Sequence, residues 1–360
     1  MASRLILHIG LQKSGTTYLQ ELIASGAGEL ATAGIVYPVS PAGKRRRRTE
    51  NHEWASYGLL GPEFPWVSEQ RAAAEQGAWK ALERQVARTK GTVLLSAEAL
   101  SVIRTPAIRG LLDRLGVDDV EVVVTARSLS RSLPSLWQQH VRNGRRLGFE
   151  RYLGMLAEQR HQPEARIEED GDLHLWRAFA VGRLARRWAR EVGESRVRFV
   201  TSPGRPPQLL WARFAEAIGA PGFTFTADAT AEPVHTGMTA PEAVVLTSLN
   251  SALATAGWTA DRSRRLREAV LTEGFQSRPE RGPRIAIPAR WRSHVAEWGA
   301  EDVSDLLDSG VTVIGDAADL RPDLRPDLGG NDEDAPTVEE VTAAWAAAVL
   351  AVGSGKATGA

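Results

Sequence analysis

Cysteine is missing from the 360-residue chain, and neither sign of charge is in excess. The missing thiols exclude disulfides, thiolate catalysis and zinc or iron–sulfur sites held by cysteine. The 44 lysine and arginine residues balance the 44 aspartate and glutamate residues. Such a balance argues against dedicated nucleic-acid binding and against binding to anionic membranes. We therefore expect neither nucleic acid nor a membrane among the partners.

Long apolar runs are also lacking. The N-terminal apolar run is too short for a secretory signal, and the most apolar later stretch, residues 343–352, is too short to span a bilayer. Together with the missing cysteine, these features predict a cytoplasmic protein. Lysine is scarce too, and it occurs only as Lys13, Lys44, Lys80, Lys90 and Lys356. Against this background, a lysine within a glycine-containing loop is a candidate functional residue.

Short, buried-type apolar runs alternate with helical patterns along the first half of the chain. The runs that predict strands are residues 4–9, 92–95, 120–125 and 196–201. Apolar strands that alternate with helices are typical of a parallel sheet covered on both faces. The sequence thus predicts an α/β fold, a parallel β-sheet flanked by helices, with a mainly helical C-terminal half.

The sequence predicts a single domain over residues 1–320. Within it, residues 39–66 hold prolines, aromatic residues and a basic run, and we interpret them as an irregular insertion that lies near a substrate-binding site. Residues 321–336 are rich in proline, aspartate and glycine and predict a linker. Residues 337–360 predict a C-terminal helix and a flexible tail.

The most informative pattern is a strand, a loop and a helix over residues 7–19, which read Leu-His-Ile-Gly-Leu-Gln-Lys-Ser-Gly-Thr-Thr-Tyr-Leu. Backbone N–H groups and the dipole at a helix N-terminus can hold a phosphate. Gly10 and Gly15 permit the tight turn, and Lys13 supplies a positive charge beside the anion. The candidate hydroxyl donors are Ser14, Thr16 and Thr17.

This loop fits neither of the two common nucleotide-binding motifs. A Walker A loop needs lysine directly after its second glycine, whereas Thr16 stands there in this chain. The Gly-x-Gly-x-x-Gly pattern of dinucleotide-binding folds is absent as well.

The loop resembles the 5′-phosphosulfate loop of the PAPS-dependent sulfotransferases, whose core is Lys-Ser-Gly-Thr-Thr after a strand (PAPS is 3′-phosphoadenosine 5′-phosphosulfate). The resemblance, strongest over residues 3–30 and 92–155, implies the P-loop-like sulfotransferase fold of the bacterial branch. It implies that residues 13–17 bind PAPS, that Lys13 stabilises the leaving phosphate of the product PAP, and that no metal is needed. It also implies that Arg127, after a later strand, and Ser135, eight residues on, bind the 3′-phosphate.

Glu98 is the preferred general base, because a carboxylate just past a buried parallel strand faces the cleft at the carboxyl edge of the sheet. Sulfotransferases of the carbohydrate and bacterial branches similarly carry a glutamate there. His52, in the predicted insertion, is the alternative base or an acceptor-binding group. The late lysine-bearing 3′-phosphate segment of the cytosolic branch is not found, and its candidate substitutes are Arg278, Arg281 and Arg284.

The resemblance implies sulfuryl transfer from PAPS to a hydroxyl or amine of a small metabolite or a glycan. Two alternatives stay open at this point. The first is a kinase or NTPase of the P-loop type, which would need a magnesium-binding aspartate after a buried strand. The second is a nucleotide-binding protein without catalysis, in which Glu98 would have no kinetic role.

Overall fold

A computed structural model describes residues 2–38, 51–225, 237–324 and 336–353. Within these ranges, six strands form one sheet in the order β2-β3-β1-β4-β5-β6, and every neighbouring pair is parallel. The strands are β1 (Arg4–His8), β2 (Ile35–Val36), β3 (Thr92–Ser96), β4 (Val120–Ala126), β5 (Val197–Thr201) and β6 (Thr312–Ile314). The predicted α/β class with a parallel sheet is confirmed.

Helices connect these strands and make up most of the C-terminal half, as predicted. In chain order they are α1 (Thr16–Ser25), α2 (Ala27–Thr32), α3 (Asn51–Leu60), α4 (Glu69–Arg88), α5 (Thr105–Leu115), α6 (Leu129–Arg142), α7 (Phe149–Arg160), α8 (Glu164–Glu169), α9 (His174–Phe179), α10 (Val181–Val192), α11 (Pro207–Ala217), α12 (Ala240–Thr255), α13 (Ala260–Ala269), α14 (Arg292–Leu307) and α15 (Val338–Gly353). None of the helices in the described ranges is both long and apolar enough to cross a bilayer.

Strand β1 lies at the centre of the sheet, between β3 and β4. Its residues Leu5, Ile6 and Leu7 are fully buried, which requires cover on both faces because successive strand side chains point to opposite sides. On one face, Ile6 belongs to a core cluster that includes residues of α1 and α11. The carboxyl ends of β1, β3 and β4 therefore meet at one edge, where α/β sheets usually bind their ligands.

The chain divides into two compact units, and the single domain over residues 1–320 stays a prediction from the sequence. The first unit comprises Met1–Leu129, Gln159–Glu232 and Glu297–Pro322 and contains all six strands. The second comprises Ser130–Glu158, Pro233–Ala296 and Asp323–Ala360. Within the second unit, α15 packs on α12 and on the turn that follows α13, so these helices bury their apolar faces against one another. The apolar patterning of the helices does not reveal this partition.

The predicted irregular insertion is helical where the structure describes it. Helix α3 is followed by a 3-10 turn, Gly61–Glu63, and packs along α4. A Cβ on Gly58 would lie 2.4 Å from the carbonyl oxygen of Glu75, so the two helices approach closely because this residue is glycine. The rest of the predicted insertion that precedes α3, with its basic run, falls outside the described residues, as do 325–335 of the predicted linker and the last seven residues.

Candidate functional site

The β1 loop, residues 9–15, links β1 to α1 and extends the pairing with β4 before it turns. The amides of Ile9 and Leu11 donate to carbonyl oxygens of β4 at 3.0 and 2.8 Å. Lys13 then adopts a φ of 67°, the only positive φ of a non-glycine residue in the described ranges, and Gly15 adopts 100°. A left-handed conformation costs an L-residue about 1–2 kcal/mol. The loop therefore holds the backbone of Lys13 in a strained conformation.

Gly10 allows the β1 loop to pack closely against side chains of β1, β4 and α1. A Cβ at this position would lie 2.0 Å from Thr125 Oγ1 and 2.7 Å from both His8 Nε2 and Thr16 Cγ2. No real Cβ approaches other atoms so closely. Glycine is required here by space rather than by a special backbone angle.

Neutral side chains form the base of the β1 loop. The buried Ser14 hydroxyl donates to the carbonyl oxygen of Leu11 at 2.6 Å and lies 2.8 Å from Thr125 Oγ1. His8 Nε2 is 3.1 Å from the same Oγ1, and its Nδ1 is 2.8 Å from Ser96 Oγ. Burial lowers the pKa of His8 to about 3, so the ring is neutral. Ser14, predicted as a phosphate donor through its hydroxyl, has that hydroxyl committed to the inside of the loop.

The N-terminus of α1 emerges from this base without a side-chain cap. Gly15 occupies the cap position, and no acidic residue lies in the first turn. The first N–H groups of a helix have no partner within the helix, and the dipole makes them a favourable place for an anion. Thr17 is exposed in this turn, whereas Thr16 is buried.

Thr16 contacts Glu98 rather than solvent. Its hydroxyl donates to Glu98 Oε2 at 2.5 Å. Burial raises the pKa of Glu98, and the hydrogen bond from Thr16 and the charge of Lys13 oppose this effect only in part. Glu98 thus lies within electrostatic range of Lys13, at the carboxyl edge where the sequence predicts it.

The Glu98 segment, residues 97–104, leaves β3 and includes a 3-10 turn, Glu98–Val102. The Ala99 amide donates to Glu53 Oε2 at 3.0 Å, and the Arg104 amide donates to Glu63 Oε2 at 2.9 Å. Sequence reasoning missed Glu53. Its one available signal is the i, i+4 spacing to Tyr57 on a helix, a spacing that brings two side chains together.

His52 lies in α3 and is not available to a ligand. The Ser96 amide donates to its Nδ1 at 3.0 Å, and its Nε2 is 2.6 Å from the carbonyl oxygen of Pro38. Burial lowers the pKa of His52 to about 4, although the contact with Pro38 raises it. Both ring nitrogens are occupied by backbone groups in the interior. These two hydrogen bonds do not favour His52 as a base, and its role as the alternative base or an acceptor-binding group stays a prediction from the sequence.

Arg127 follows β4 and contacts the β1 loop directly. Its Nη1 donates to the carbonyl oxygen of Lys13 at 3.3 Å. Ser135 lies in the second turn of α6, because this helix begins at Leu129. A joint role of Arg127 and Ser135 stays a prediction from their spacing.

The three late arginines belong to the second unit. Arg281 donates to the buried carboxylate of Glu242 at 2.8 and 2.7 Å, and Arg278 lies 3.8 Å from the same group. Arg284 forms an isolated antiparallel bridge with Thr239. Among the residues that the structure describes, no three acidic or histidine side chains converge as a metal site would require.

No protein-family model matches the chain, and no curated protein matches it in sequence. Among solved structures, the crystal structure of a sulfotransferase from Alicyclobacillus acidocaldarius is similar, with 13% identity and a TM-score of 0.42. The similarity covers 73% of this chain and 100% of that one. At this identity and TM-score, it assigns neither a family nor an activity to the chain.

Proposed function

We propose that the protein is a sulfotransferase that moves a sulfuryl group from PAPS to a hydroxyl or amine of a small metabolite or glycan. The observation that carries this proposal is the pairing of an uncapped helix N-terminus with two charged side chains, Lys13 and Glu98, at one edge of the sheet. An anion-binding turn beside a cation and a partly buried carboxylate suits a transfer in which a phosphate leaves and a proton is removed.

The backbone amides of residues 15–17 are proposed to bind the 5′-phosphate of PAPS, because the Ser14 amide already donates to the carbonyl oxygen of Leu11 at 3.2 Å. The donor set fits this group, because helix-terminal N–H groups and an ammonium both favour an anion. Thr17 is the candidate hydroxyl donor, since the hydroxyls of Ser14 and Thr16 already donate within the protein. Arg127 is proposed to bind the 3′-phosphate together with Ser135, on the grounds of sequence spacing.

Bound PAPS supplies an activated sulfuryl group whose sulfur–oxygen bond to phosphate breaks as the bond to the acceptor forms. Glu98 is proposed to take the proton of the acceptor. Its raised pKa suits a base that works near neutral pH, and in the described structure only one of its carboxylate oxygens, Oε2, has a hydrogen bond. Lys13 is proposed to stabilise the charge that develops on the leaving phosphate. No metal has a part in this proposal, and we keep the cytoplasm as the expected location.

Calorimetric titration with PAP, beside ATP with Mg²⁺, tests the cofactor. We expect PAP to bind better, and Lys13→Ala and Arg127→Ala to weaken its binding by about tenfold to a hundredfold, the range for a hydrogen bond to a charged group. Lys90→Ala and Arg88→Ala, which remove exposed charges elsewhere, are the matched controls. A preference for Mg-ATP would overturn the proposal in favour of a kinase or NTPase.

Glu98→Gln tests catalysis apart from binding. With an acceptor that the wild-type enzyme uses, we expect the kcat of sulfuryl transfer, measured as PAP formed, to fall about a hundredfold or more. The Kd for PAP should change little. Unchanged kcat in this variant would support a role for Glu98 in folding alone. A protein that binds PAP but transfers nothing to a broad acceptor panel would fit the non-catalytic alternative.

A further inference from the structure

Two carboxylates anchor the backbone of the Glu98 segment, one near each end. Glu53 accepts from the Ala99 amide, directly after Glu98, and Glu63 accepts from the Arg104 amide. Glu63 also receives the guanidinium of Arg104 at 2.5 Å. Each of the two carboxylates accepts a hydrogen bond from a backbone amide of this segment, but only the amide bonded to Glu53 belongs to a residue adjacent to Glu98.

Glu53 is itself held by a chain of hydrogen bonds. The Tyr57 hydroxyl donates to Glu53 Oε1 at 3.0 Å, and the Trp66 indole N–H donates to the Tyr57 oxygen at 3.4 Å. The buried Phe64 ring packs against the rings of Tyr57 and Trp66, with centroids 5.3 and 5.5 Å apart. Trp66 is 41% exposed, so the chain runs from the surface to the turn that carries Glu98.

The charges around Tyr57 keep its hydroxyl a donor. Burial, the charge of Glu53 and the charge of Glu98 all raise the pKa of Tyr57, and the hydrogen bond from Trp66 lowers it only in part. The phenol of Tyr57 is therefore protonated at neutral pH. A neutral donor on one oxygen of Glu53 leaves the other oxygen fixed toward Ala99.

We propose that Glu53 is a positioning residue for Glu98. Its carboxylate fixes the first turn after β3, so that Glu98 stays against Thr16 and within range of Lys13, and Tyr57 holds Glu53 in the required orientation. The effect on catalysis rests on the proposed function. The effect on the geometry of Glu98 does not, because it concerns the protein without ligand.

Carbon-13 NMR of the glutamate carboxyl groups in the ligand-free protein tests the positioning, with Glu98→Gln used to assign the Glu98 signal. Thr16 and Lys13 are the polar groups that act on this carboxyl in the described structure, and the Glu98 charge in turn acts on Tyr57. Glu53→Ala removes a negative charge and exposes the turn to water. We expect both effects to lower the midpoint of the Glu98 titration toward that of a solvated carboxyl, by about one pH unit.

Two variants make this measurement specific. Glu53→Gln removes the charge but keeps an acceptor for the Ala99 amide, so we expect a smaller fall in the Glu98 midpoint. Glu63→Ala removes the carboxylate that accepts from the Arg104 amide at the far end of the Glu98 segment. We expect this variant to lose about as much thermal stability as Glu53→Ala but to leave the midpoint of the Glu98 titration unchanged. An unchanged midpoint in Glu53→Ala, or equal shifts in Glu53→Ala and Glu63→Ala, would overturn the proposal.

Kinetics supply a second readout that separates the two proposals. In Glu53→Ala we expect kcat to fall about tenfold with the Kd for PAP unchanged, and Glu53→Gln to recover most of the loss. Equal loss of kcat in Glu63→Ala would contradict a positioning role. If the wild-type protein binds no PAP, the proposed function fails, whereas the titration still decides whether Glu53 positions Glu98.

Discussion

The β1 loop and the Glu98 segment leave neighbouring strands at the same edge of the sheet, yet opposite chemistry holds them. Neutral groups support the β1 loop, namely a serine, a threonine and an uncharged histidine. Carboxylates anchor the Glu98 segment at both ends. A loop that binds an anion gains from support without negative charge, whereas the Glu98 segment presents a carboxylate whose pKa is raised by burial.

Substitution of Gly10 should break the first half of this comparison and have the largest effect. We expect Gly10→Ala to lower the free energy of unfolding by about 3 kcal/mol, as overpacking of a filled site does, and to abolish PAP binding. Urea unfolding and calorimetry measure the two effects. Gly28→Ala is the control, because a Cβ there meets nothing within 4 Å, and it should raise stability slightly. Similar behaviour of the two variants would show that Gly10 is not packed as described.

His8, which supports the β1 loop, and Glu63, which anchors the Glu98 segment, should lose their contributions to stability in different pH ranges. His8 has a pKa of about 3 in the folded protein against 6.5 ordinarily, so the folded state binds fewer protons between these values. Stability from the neutral ring is complete above pH 6.5 and is lost as the pH falls below it, by up to about 1 kcal/mol over the first unit. Burial raises the pKa of Glu63, but the hydrogen bonds and the charge of Arg104 lower it by more. The pKa of Glu63 therefore lies below the ordinary 4.5. Its contribution is therefore lost only below about pH 4.5.

Urea unfolding of His8→Gln and Glu63→Gln between about pH 7 and about pH 3.5, a range that includes both ordinary pKa values, checks this ordering. We expect His8→Gln to reduce the fall in stability between pH 6.5 and 4.5. The remaining pH dependence combines His52, which acts in the same direction, with Asp302 and Glu98, whose raised pKa values act in the opposite direction. Glu63→Gln should change the profile only below pH 4.5. If the free energy of unfolding of His8→Gln fell with pH as steeply as that of the wild type, a neutral His8 would not support the β1 loop as described.

Replacement of Lys13 by glycine should have the smallest effect on stability and is the most specific test of strain. Relief of the left-handed backbone outweighs the extra entropy of glycine in the unfolded chain, so we expect a gain of about 0.5 kcal/mol for Lys13→Gly. PAP binding should nevertheless weaken. Lys90→Gly, an exposed position without positive φ, should lose about 0.5 kcal/mol instead. If the free energy of unfolding changed in the same direction in Lys13→Gly and Lys90→Gly, the backbone of Lys13 would not be strained.

The sequence predicts the position of Glu98 well, because buried parallel strands bring their carboxyl ends to one edge whatever the details of packing. It does not predict where the hydroxyls of Ser14 and Thr16 point. Their partners, Thr125 and Glu98, are 111 and 82 residues away in the chain, and only the assembled sheet brings them together. Local patterns predict a ligand-binding loop at residues 10–15, but they do not show that the hydroxyls of Ser14 and Thr16 donate within the protein.

Helix α3 and the role of His52 were beyond local reasoning for a similar reason. The stretch holds prolines and aromatic residues that suggest irregular structure, and its helix is stabilised by close packing on α4 at Gly58. That packing also carries His52 inward, to the Ser96 amide. The two-unit division likewise depends on which apolar helix faces meet, and residue patterns do not specify this.

The space around Gly10 also constrains how this site can change over generations. Thr125 is the nearest obstacle to any side chain at position 10, and it shares its hydroxyl with Ser14 and His8. A larger residue at position 10 needs the space that Thr125 occupies, and His8 Nε2 and Thr16 Cγ2, each 2.7 Å from such a Cβ, must also shift. A smaller residue at position 125 by itself removes a hydrogen-bond partner from Ser14 and His8. In a library of double variants, positions 10 and 125 should therefore show strong epistasis, and the order of the two substitutions should decide which mutational routes stay open.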